Sequence, residues 1–365
     1  MEYSDHYMAY MGMAPKRIPH GEPWSCPDAE TYITGIDYFD HPKLCREKMA
    51  ELYPFLGLGI PETDTPVPRP EMDLDGKSSD PERHTVRWGI GESDTWVRGE
   101  RFQTAEDVFA FSPLEQTAKS DWSDMKVVDS GDFSSEEAVY KGLRAGYPAD
   151  WGDKAPEGST AGTGLYNTMF MWPLLTFGWE LFLECCLDPR FERIMDEFAE
   201  INRRRFKAFA RLPINFVSCH DDICNNRGLI CSPKWMNKYI YPRYEEFWGY
   251  VRDAGKHVIF MTDGNASPVA DDVMACGARG FITEPSTDFK AIARKHENCY
   301  LRGEGDNLVL TRNDPDEIDA MVRSMLETAR TTGGYCMSVG NHIAWNVTPE
   351  GVKRYLDRSA EWGNR

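Results

Sequence analysis

The chain has 365 residues, of which 41% are apolar, 59 are acidic and 41 are basic, for a formal net charge of -18. That balance excludes nucleic acid and anionic lipid as natural partners, because both carry the same sign of charge, and the apolar share is enough for a full core. No stretch reaches the ~18 to 20 apolar residues that a membrane helix needs, and the acidic, aromatic start (Met1 to Tyr10) lacks the basic-then-apolar pattern of a signal peptide.

In chain order, residues 1–60 read as a polar, aromatic arm followed by a helix from Pro42 to Leu56, opened by His41-Pro42 and closed at Gly57. Residues 61–165 read as loop-rich insertions. Pro61, Pro66, Pro68, Pro70 and Pro81 sit among acids in a surface excursion, and the pattern from Thr85 to Arg101 suggests a hairpin. Gly158 to Gly164 reads as a flexible lead into the aromatic cluster Tyr166, Met169, Met171, Trp172, Phe177 and Trp179. That cluster reads first as core, and also as the underside of a lid over an apolar substrate.

From residue 166 onward the chain alternates strands and helices. Asp188-Pro189 opens a helix through Phe209, and Ile214 to Ser218 is a buried strand. Ser232-Pro233 opens a helix ending at Gly255, and His257 to Met261 is a strand. Ser267-Pro268 opens a helix capped by Gly277, Gly280 to Thr283 is a strand, and a short helix runs from Phe289 to Lys295. Tyr300 to Arg302 is a strand, Asp314-Pro315 opens a helix ending at Gly333, Tyr335 to Val339 is the last strand, and Thr348-Pro349 opens the final helix. Ser, Thr or Asp before Pro is an N-cap followed by a first-turn residue with no donor to lose. Strict alternation of this kind demands parallel strands and favours a barrel, folded as a single domain over residues 1–365.

Each strand runs into a polar break: His220-Asp221-Asp222, Asp263-Gly264-Asn265, Glu284-Pro285, Glu304-Gly305-Asp306 and Gly340-Asn341-His342. In a closed parallel barrel such groups line one mouth, where active sites form. Each has a plainer reading as well. Asp221-Asp222 could cap the following turn, Asp263-Gly264-Asn265 is a good turn in its own right, Glu304 and Asp306 could form a solvated turn, and His220 could point away by alternation. The ten cysteines show no disulfide-like or Cys-x-x-Cys spacing, which suits reduced thiols in a cytoplasmic protein. A Tyr- and Met-rich arm (Tyr3, Tyr7, Met8, Tyr10, Met11, Met13) offers a surface for a homodimer.

Several linked motifs resemble the uroporphyrinogen decarboxylase superfamily. They are Asp221-Asp222-Ile223 with Asn226-Arg227-Gly228-Leu229-Ile230-Cys231-Ser232-Pro233, then Ile259-Phe260-Met261-Thr262-Asp263-Gly264-Asn265, then Gly333-Gly334-Tyr335 through Asn341-His342-Ile343. Arg17-Ile18-Pro19, Trp24 and Ile33-Thr34-Gly35 follow the expected order at the front end. The resemblance covers most of residues 15–358 and implies a (β/α)8 TIM barrel with an N-terminal arm, long loop insertions and a site at the strand C-terminal ends.

The resemblance implies three activities, which the residues separate in part. Thiol-methylating members carry a His-x-Cys pair and a later Cys as zinc ligands. Here those positions read Met261-x-Asp263 and Asn341, a poor set for zinc, with Cys336 five residues early. Uroporphyrinogen decarboxylases grip their substrate's carboxylates with paired arginines near the N-terminus. Here Arg17 stands alone, and residues 20–35 contain no Lys or Arg.

The resemblance then points to the third kind, a methyltransferase moving a methyl group from a small methoxylated, aromatic-type donor to a corrinoid protein. The corrinoid would arrive on a partner, since no Asp-x-His-x-x-Gly stretch is present. Such chemistry needs a general acid or a metal at the departing oxygen. The expected catalytic residues are Asp222, Asp263, His342 and Glu284. Substrate contacts are assigned to Arg17, His220, Asn265, Tyr166, Trp172 and Asn341. A zinc or other divalent metal would take Asp263, Glu284, Glu304 and His342. The alternatives are a decarboxylase of a small carboxylate, a uroporphyrinogen-decarboxylase-like activity, and a non-catalytic barrel that captures a ligand.

Overall fold

A computed structural model describes residues 3–69, 83–88, 91–96, 102–118 and 131–365. The chain divides into two compact units, Met1–Thr95 with Ile282–Arg365, and Trp96–Phe281. Most of the acidic excursion after residue 69 lies outside the described residues. The backbone of Arg83–Trp88 and Gly91–Trp96 forms the expected two-stranded hairpin.

In the unit Trp96–Phe281, parallel strands carry the fold. Gly162–Leu165 pairs with Phe216–His220 in the register Leu165↔Cys219, and Phe216–His220 pairs with His257–Met261 in the register His220↔Met261. The 21-residue helix Phe191–Arg211 buries Phe191, Ile194, Phe198, Ile201 and Phe206 along one face, as helical periodicity requires. It packs on the helix Tyr241–Asp253, where Phe206 stacks on Phe247 with ring centroids 5.4 Å apart. Phe170, Phe177, Phe182 and Trp235 continue this aromatic core through edge-on contacts.

Three local expectations need correction here. The helix expected to run unbroken from Pro233 to Gly255 is two helices, Pro233–Tyr239 and Tyr241–Asp253, joined at Ile240. Pro242 is the cause: its ring would clash with the carbonyl four residues earlier, so it opens a helix instead of continuing one. The glycine run read as a flexible lead ends in the strand Gly162–Leu165. Glycine is needed there because a Cβ on Gly162 would stand 2.9 Å from the Phe216 carbonyl oxygen. The strand expected at Ile214–Ser218 begins two residues later, at Phe216.

In the other unit, Tyr300–Arg302 pairs in parallel with Gly334–Tyr335, in the register Gly334↔Tyr300. The regular strand is shorter than the expected Tyr335–Val339. Beyond Tyr335 the extended chain bridges both neighbours singly, the continuation of Tyr300–Arg302 at Gly305↔Val339 and the N-terminal arm at His20↔Met337 and Trp24↔Ile343. A carboxylate fastens this arm: Glu22 accepts from the Tyr355 hydroxyl (2.8 Å) and from the Val339 N–H (3.0 Å). The unit also holds the helices Pro27–Thr34, Pro42–Leu52, Phe289–Lys295, Asn307–Arg312, Pro315–Ala329 and Pro349–Trp362. Residues Asp5–Tyr10 are helical, with Ala9 buried and Tyr10 stacked on Tyr300 at 4.4 Å. Among the described residues no helix is long and apolar enough to cross a membrane.

The Phe206–Phe247 stack yields a stability prediction. Phe206 is fully buried, so Phe206→Ala should cost about 3–5 kcal/mol through lost transfer energy and the cavity left behind. A urea titration measures this; a loss below about 1 kcal/mol would show that the site collapses around the smaller side chain.

Candidate functional site

Two adjacent strand ends build the site. The ladder places His220 opposite Met261, and the Asp221 N–H donates to the Met261 carbonyl at 3.0 Å. The chains then leave the sheet side by side, so the residue two past His220 meets the residue two past Met261. Asp222 Oδ1 accepts the Asp263 N–H at 2.8 Å and a bond from His220 Nε2 at 2.8 Å. Tyr166, directly after the strand Gly162–Leu165, sets its ring edge-on to His220 with centroids 4.3 Å apart.

The neighbouring residues hold this geometry. Gly264 has φ of +77°, and a Cβ there would stand 2.5 Å from the Asn225 backbone, so only glycine lets the two loops touch. The Asn265 N–H donates to the Asn225 carbonyl at 2.9 Å, while the Asn265 side-chain oxygen accepts from the Ser267 N–H at 3.0 Å. Asn265, expected to touch substrate, therefore ties down the turn after Asp263.

The Asp221-Asp222 pair divides its labour. Asp221 is fully buried and accepts from the backbone N–H groups of Met169 (3.0 Å), Phe170 (2.9 Å) and Met171 (2.6 Å), and from the Tyr244 hydroxyl (2.7 Å). It fixes the turn that opens the helix Met171–Phe177. Burial raises its pKa, against the pull of these donors. Asp222 is the partly exposed member, and it faces His220 and Asp263.

Charge tunes the imidazole. Burial alone would lower the His220 pKa, but the hydrogen bond and charge of Asp222, with Asp263 and Asp221 behind it, outweigh burial and raise it. The Tyr166 hydroxyl is pushed up by burial and by the same two carboxylates, Asp222 and Asp263. His220 is thus an ionisable ring held by one carboxylate with a second close by.

His220, Asp222 and Asp263 each offer a ligand atom, and the three atoms lie within 4.8 Å of one another. One imidazole and two carboxylates form a nitrogen and oxygen donor set suited to a borderline or hard divalent ion, with open positions left for water or substrate. The sequence reading assigned the metal to Asp263, Glu284, Glu304 and His342; of these, only Asp263 falls in this cluster. His220, expected to touch substrate, joins the cluster, and the sequence carried a signal for it: a His-x-Asp ending one strand, and an Asp two residues past the end of its parallel neighbour.

The remaining expected residues have surroundings of their own. Trp172 is fully buried, packed on Phe198 (5.4 Å) and beneath the Arg205 guanidinium (5.2 Å), with no surface for a substrate to touch. Glu284, Glu304, Asp306, Asn341 and His342 belong to the unit that contains Ile282–Arg365. There Glu304 accepts from the Tyr335 hydroxyl (2.6 Å) and the Thr328 hydroxyl (2.9 Å), and burial raises its pKa. Asp306 caps the helix Asn307–Arg312. Asn341 adopts a left-handed conformation and pairs with His342 Nδ1 at 2.7 Å, and burial lowers the His342 pKa. Arg17 closes the C-terminal end of the helix Pro349–Trp362 by donating to the Ser359 and Ala360 carbonyls at 2.7 and 3.0 Å.

Comparisons with known proteins bear on the fold. Residues 187–362 match the family described as Uroporphyrinogen decarboxylase (URO-D). The solved structure of a methyltransferase from Methanosarcina mazei aligns over 99% of this chain and 99% of its own, with a TM-score of 0.58 at 14% identity. A D-psicose 3-epimerase from Clostridium cellulolyticum H10 aligns over 48% of this chain and 70% of its own at 14% identity, with a TM-score of 0.29, too low to bear on the fold. No curated protein matches the sequence. The family match bears out the resemblance to the uroporphyrinogen decarboxylase superfamily over residues 187–362, and with the methyltransferase likeness it bears out the fold as a TIM barrel.

The electrostatics give a sign that can be checked. In metal-free protein the His220 pKa should lie above its ordinary 6.5. The His220–Asp222 pair then stabilises the fold fully below that value and loses its contribution as pH rises through the raised one. An NMR titration of the His220 Cε1–H resonance measures it. Asp222→Asn removes the hydrogen bond and charge that raise it while burial, which lowers it, stays, so the pKa should fall from its wild-type value; a titration that does not move would refute the pairing.

Proposed function

We propose that this chain is a methyltransferase that moves the methyl group of a small methoxylated aromatic donor to a corrinoid carried on a partner protein. The observation that carries the reading is the His220–Asp222–Asp263 constellation at two adjacent strand ends, in a fold like that of a known methyltransferase. The barrel's strand ends are where such enzymes place their chemistry.

An aryl methyl ether resists displacement because its departing oxygen is a poor leaving group until it is protonated or bound to a cation. Protonated His220 donates from Nε2 to Asp222, which leaves Nδ1 to give its proton to the ether oxygen as the bond to the methyl carbon breaks. The donor then departs as a neutral phenol, and His220 is reprotonated from water. Asp222 keeps the imidazole oriented and stabilises its charged form, as an orienting carboxylate does for a catalytic histidine. The Tyr166 ring, 40% exposed and beside His220, offers a flat apolar wall for an aromatic donor. The corrinoid, when bound, supplies the cobalt nucleophile that accepts the methyl group. A divalent ion, if one is held, would sit on His220, Asp222 and Asp263 and polarise the same oxygen; His220 would then serve as a ligand and not as the acid.

A second reading is favoured by the family match: a decarboxylase in which the same His220–Asp222 pair protonates the carbon that loses carbon dioxide. The two readings part on one assay. Mixed with a reduced corrinoid protein and methoxylated aromatics, the chain should consume the cob(I)alamin absorbance with one donor class. His220→Gln should slow this by about 10²–10⁴-fold, the range for a lost general acid, in a chain that still folds by circular dichroism. Release of carbon dioxide in the absence of corrinoid, with no loss of that absorbance for any donor, would replace the first reading with the second.

A further inference from the structure

In the unit containing Ile282–Arg365, the strand Tyr300–Arg302 ends in a guanidinium that meets no acid. Arg302 is half-buried, and its Nε is shielded from solvent without a hydrogen-bond partner. Among the described residues, no carboxylate or carbonyl lies within hydrogen-bond distance of its side chain. Two other part-buried arginines of the same unit are paired with acids: Arg46 forks onto Glu30 at 2.9 Å through both Nε and Nη2, and Arg354 forks onto Asp319 at 2.8 and 2.9 Å; Arg17, whose Nε also lacks a partner, donates through its Nη atoms to the Ser359 and Ala360 carbonyls. With 59 acids against 41 bases, the chain had carboxylates to spare and placed none here.

The surroundings hold the guanidinium still and leave it uncompensated. Gly303, next in the chain, has φ of +107°, and a Cβ there would stand 1.8 Å from the Thr283 carbonyl oxygen, so the strand end is locked. A Cβ on Gly21 would come within 3.4 Å of the Arg302 Cζ and 3.2 Å of the Cys336 Sγ. Tyr10 and Tyr300 stack beside it at 4.4 Å and offer hydroxyls, which carry no charge at neutral pH. His6 is close enough to feel its charge, and burial favours the neutral form of that ring. Among the described residues, Glu22 is the acid whose charge reaches Arg302 most strongly, and its oxygens are already taken. Oε1 accepts from Tyr355 and lies 3.5 Å from His20, while Oε2 accepts from Ser338 (3.2 Å) and from the Val339 N–H.

Removing an ion from water without a counter-charge costs several kcal/mol, so an unpaired guanidinium at a strand end calls for an anion from outside the chain. We propose that Arg302 anchors a binding site for the carboxylate of a small molecule. A guanidinium fork matches two coplanar carboxylate oxygens and balances a single negative charge. A phosphate dianion would find half of its charge unmet in a strongly acidic chain. The site is read by binding alone, without corrinoid or turnover, so it stands or falls separately from the methyl-transfer reading.

Isothermal titration of the full chain with benzoate and with acetate tests this, against benzamide as the neutral isostere and inorganic phosphate as the alternative anion. The expected result is that a carboxylate binds, that benzamide does not, and that Arg302→Gln weakens binding by at least about tenfold, the worth of a charge-assisted pair. No binding of either carboxylate, or equal binding by Arg302→Gln, overturns the proposal; phosphate bound in preference to both overturns the ligand class. The thermal midpoint of Arg302→Met should stay level or rise, since an unpaired charge is removed, and a clear fall would make Arg302 a structural residue instead. Should Arg302→Gln not fold, the wild-type Arg302 Nε–H resonance must shift on adding benzoate, and a resonance that stays fixed overturns the assignment.

Discussion

Oδ1 of Asp222 accepts two hydrogen bonds, from the His220 ring and from the Asp263 backbone, both at 2.8 Å, and the candidate site depends on that one atom. The two bonds tie together residues 43 positions apart at most, from His220 to Asp263, across the ends of neighbouring strands. They require the parallel register that sets His220 against Met261, and the glycine at 264 that lets the second loop approach Asn225. Loss of either would separate the imidazole from its carboxylates. Local backbone geometry and site chemistry are one constraint here.

The division between Asp221 and Asp222 shows how a fold gives two identical side chains different work. Adjacent residues leaving a strand point opposite ways. Asp221 turns inward, where a carboxylate survives because four donors surround it. Asp222 turns toward the strand ends, where it is partly exposed and can hold a protonated imidazole. The acid that looks more secure in the structure is the scaffold, and its partly exposed neighbour is the one left facing the imidazole.

Much of this was legible in the residues. Cap-and-proline pairs located helix starts at Pro233, Pro315 and Pro349, and short apolar runs located the strands His257–Met261 and Tyr300–Arg302. Asp222 and Asp263 stood out as polar breaks, and the register then brings them together. What stayed hidden has physical causes. The strand Gly162–Leu165 is written in glycine, because close packing on Phe216 forbids side chains, and glycine reads as a loop. His220 was undervalued because alternation along a strand cannot say which way its last residue turns once the ladder ends. Trp172 reads equally well as core or cover, and burial decides for core. Arg302 carried no sequence signal, because a missing partner becomes visible only when the neighbours are in place.

The central claim is that His220, held by Asp222, delivers the proton on which the reaction depends. Its most direct test is the single-turnover rate of methyl transfer as a function of pH, in wild type and in Asp222→Asn. The account predicts a rate that falls as pH rises through the raised His220 pKa, and a fall that moves to lower pH when Asp222 is neutralised. A profile that keeps its position in the variant would contradict it.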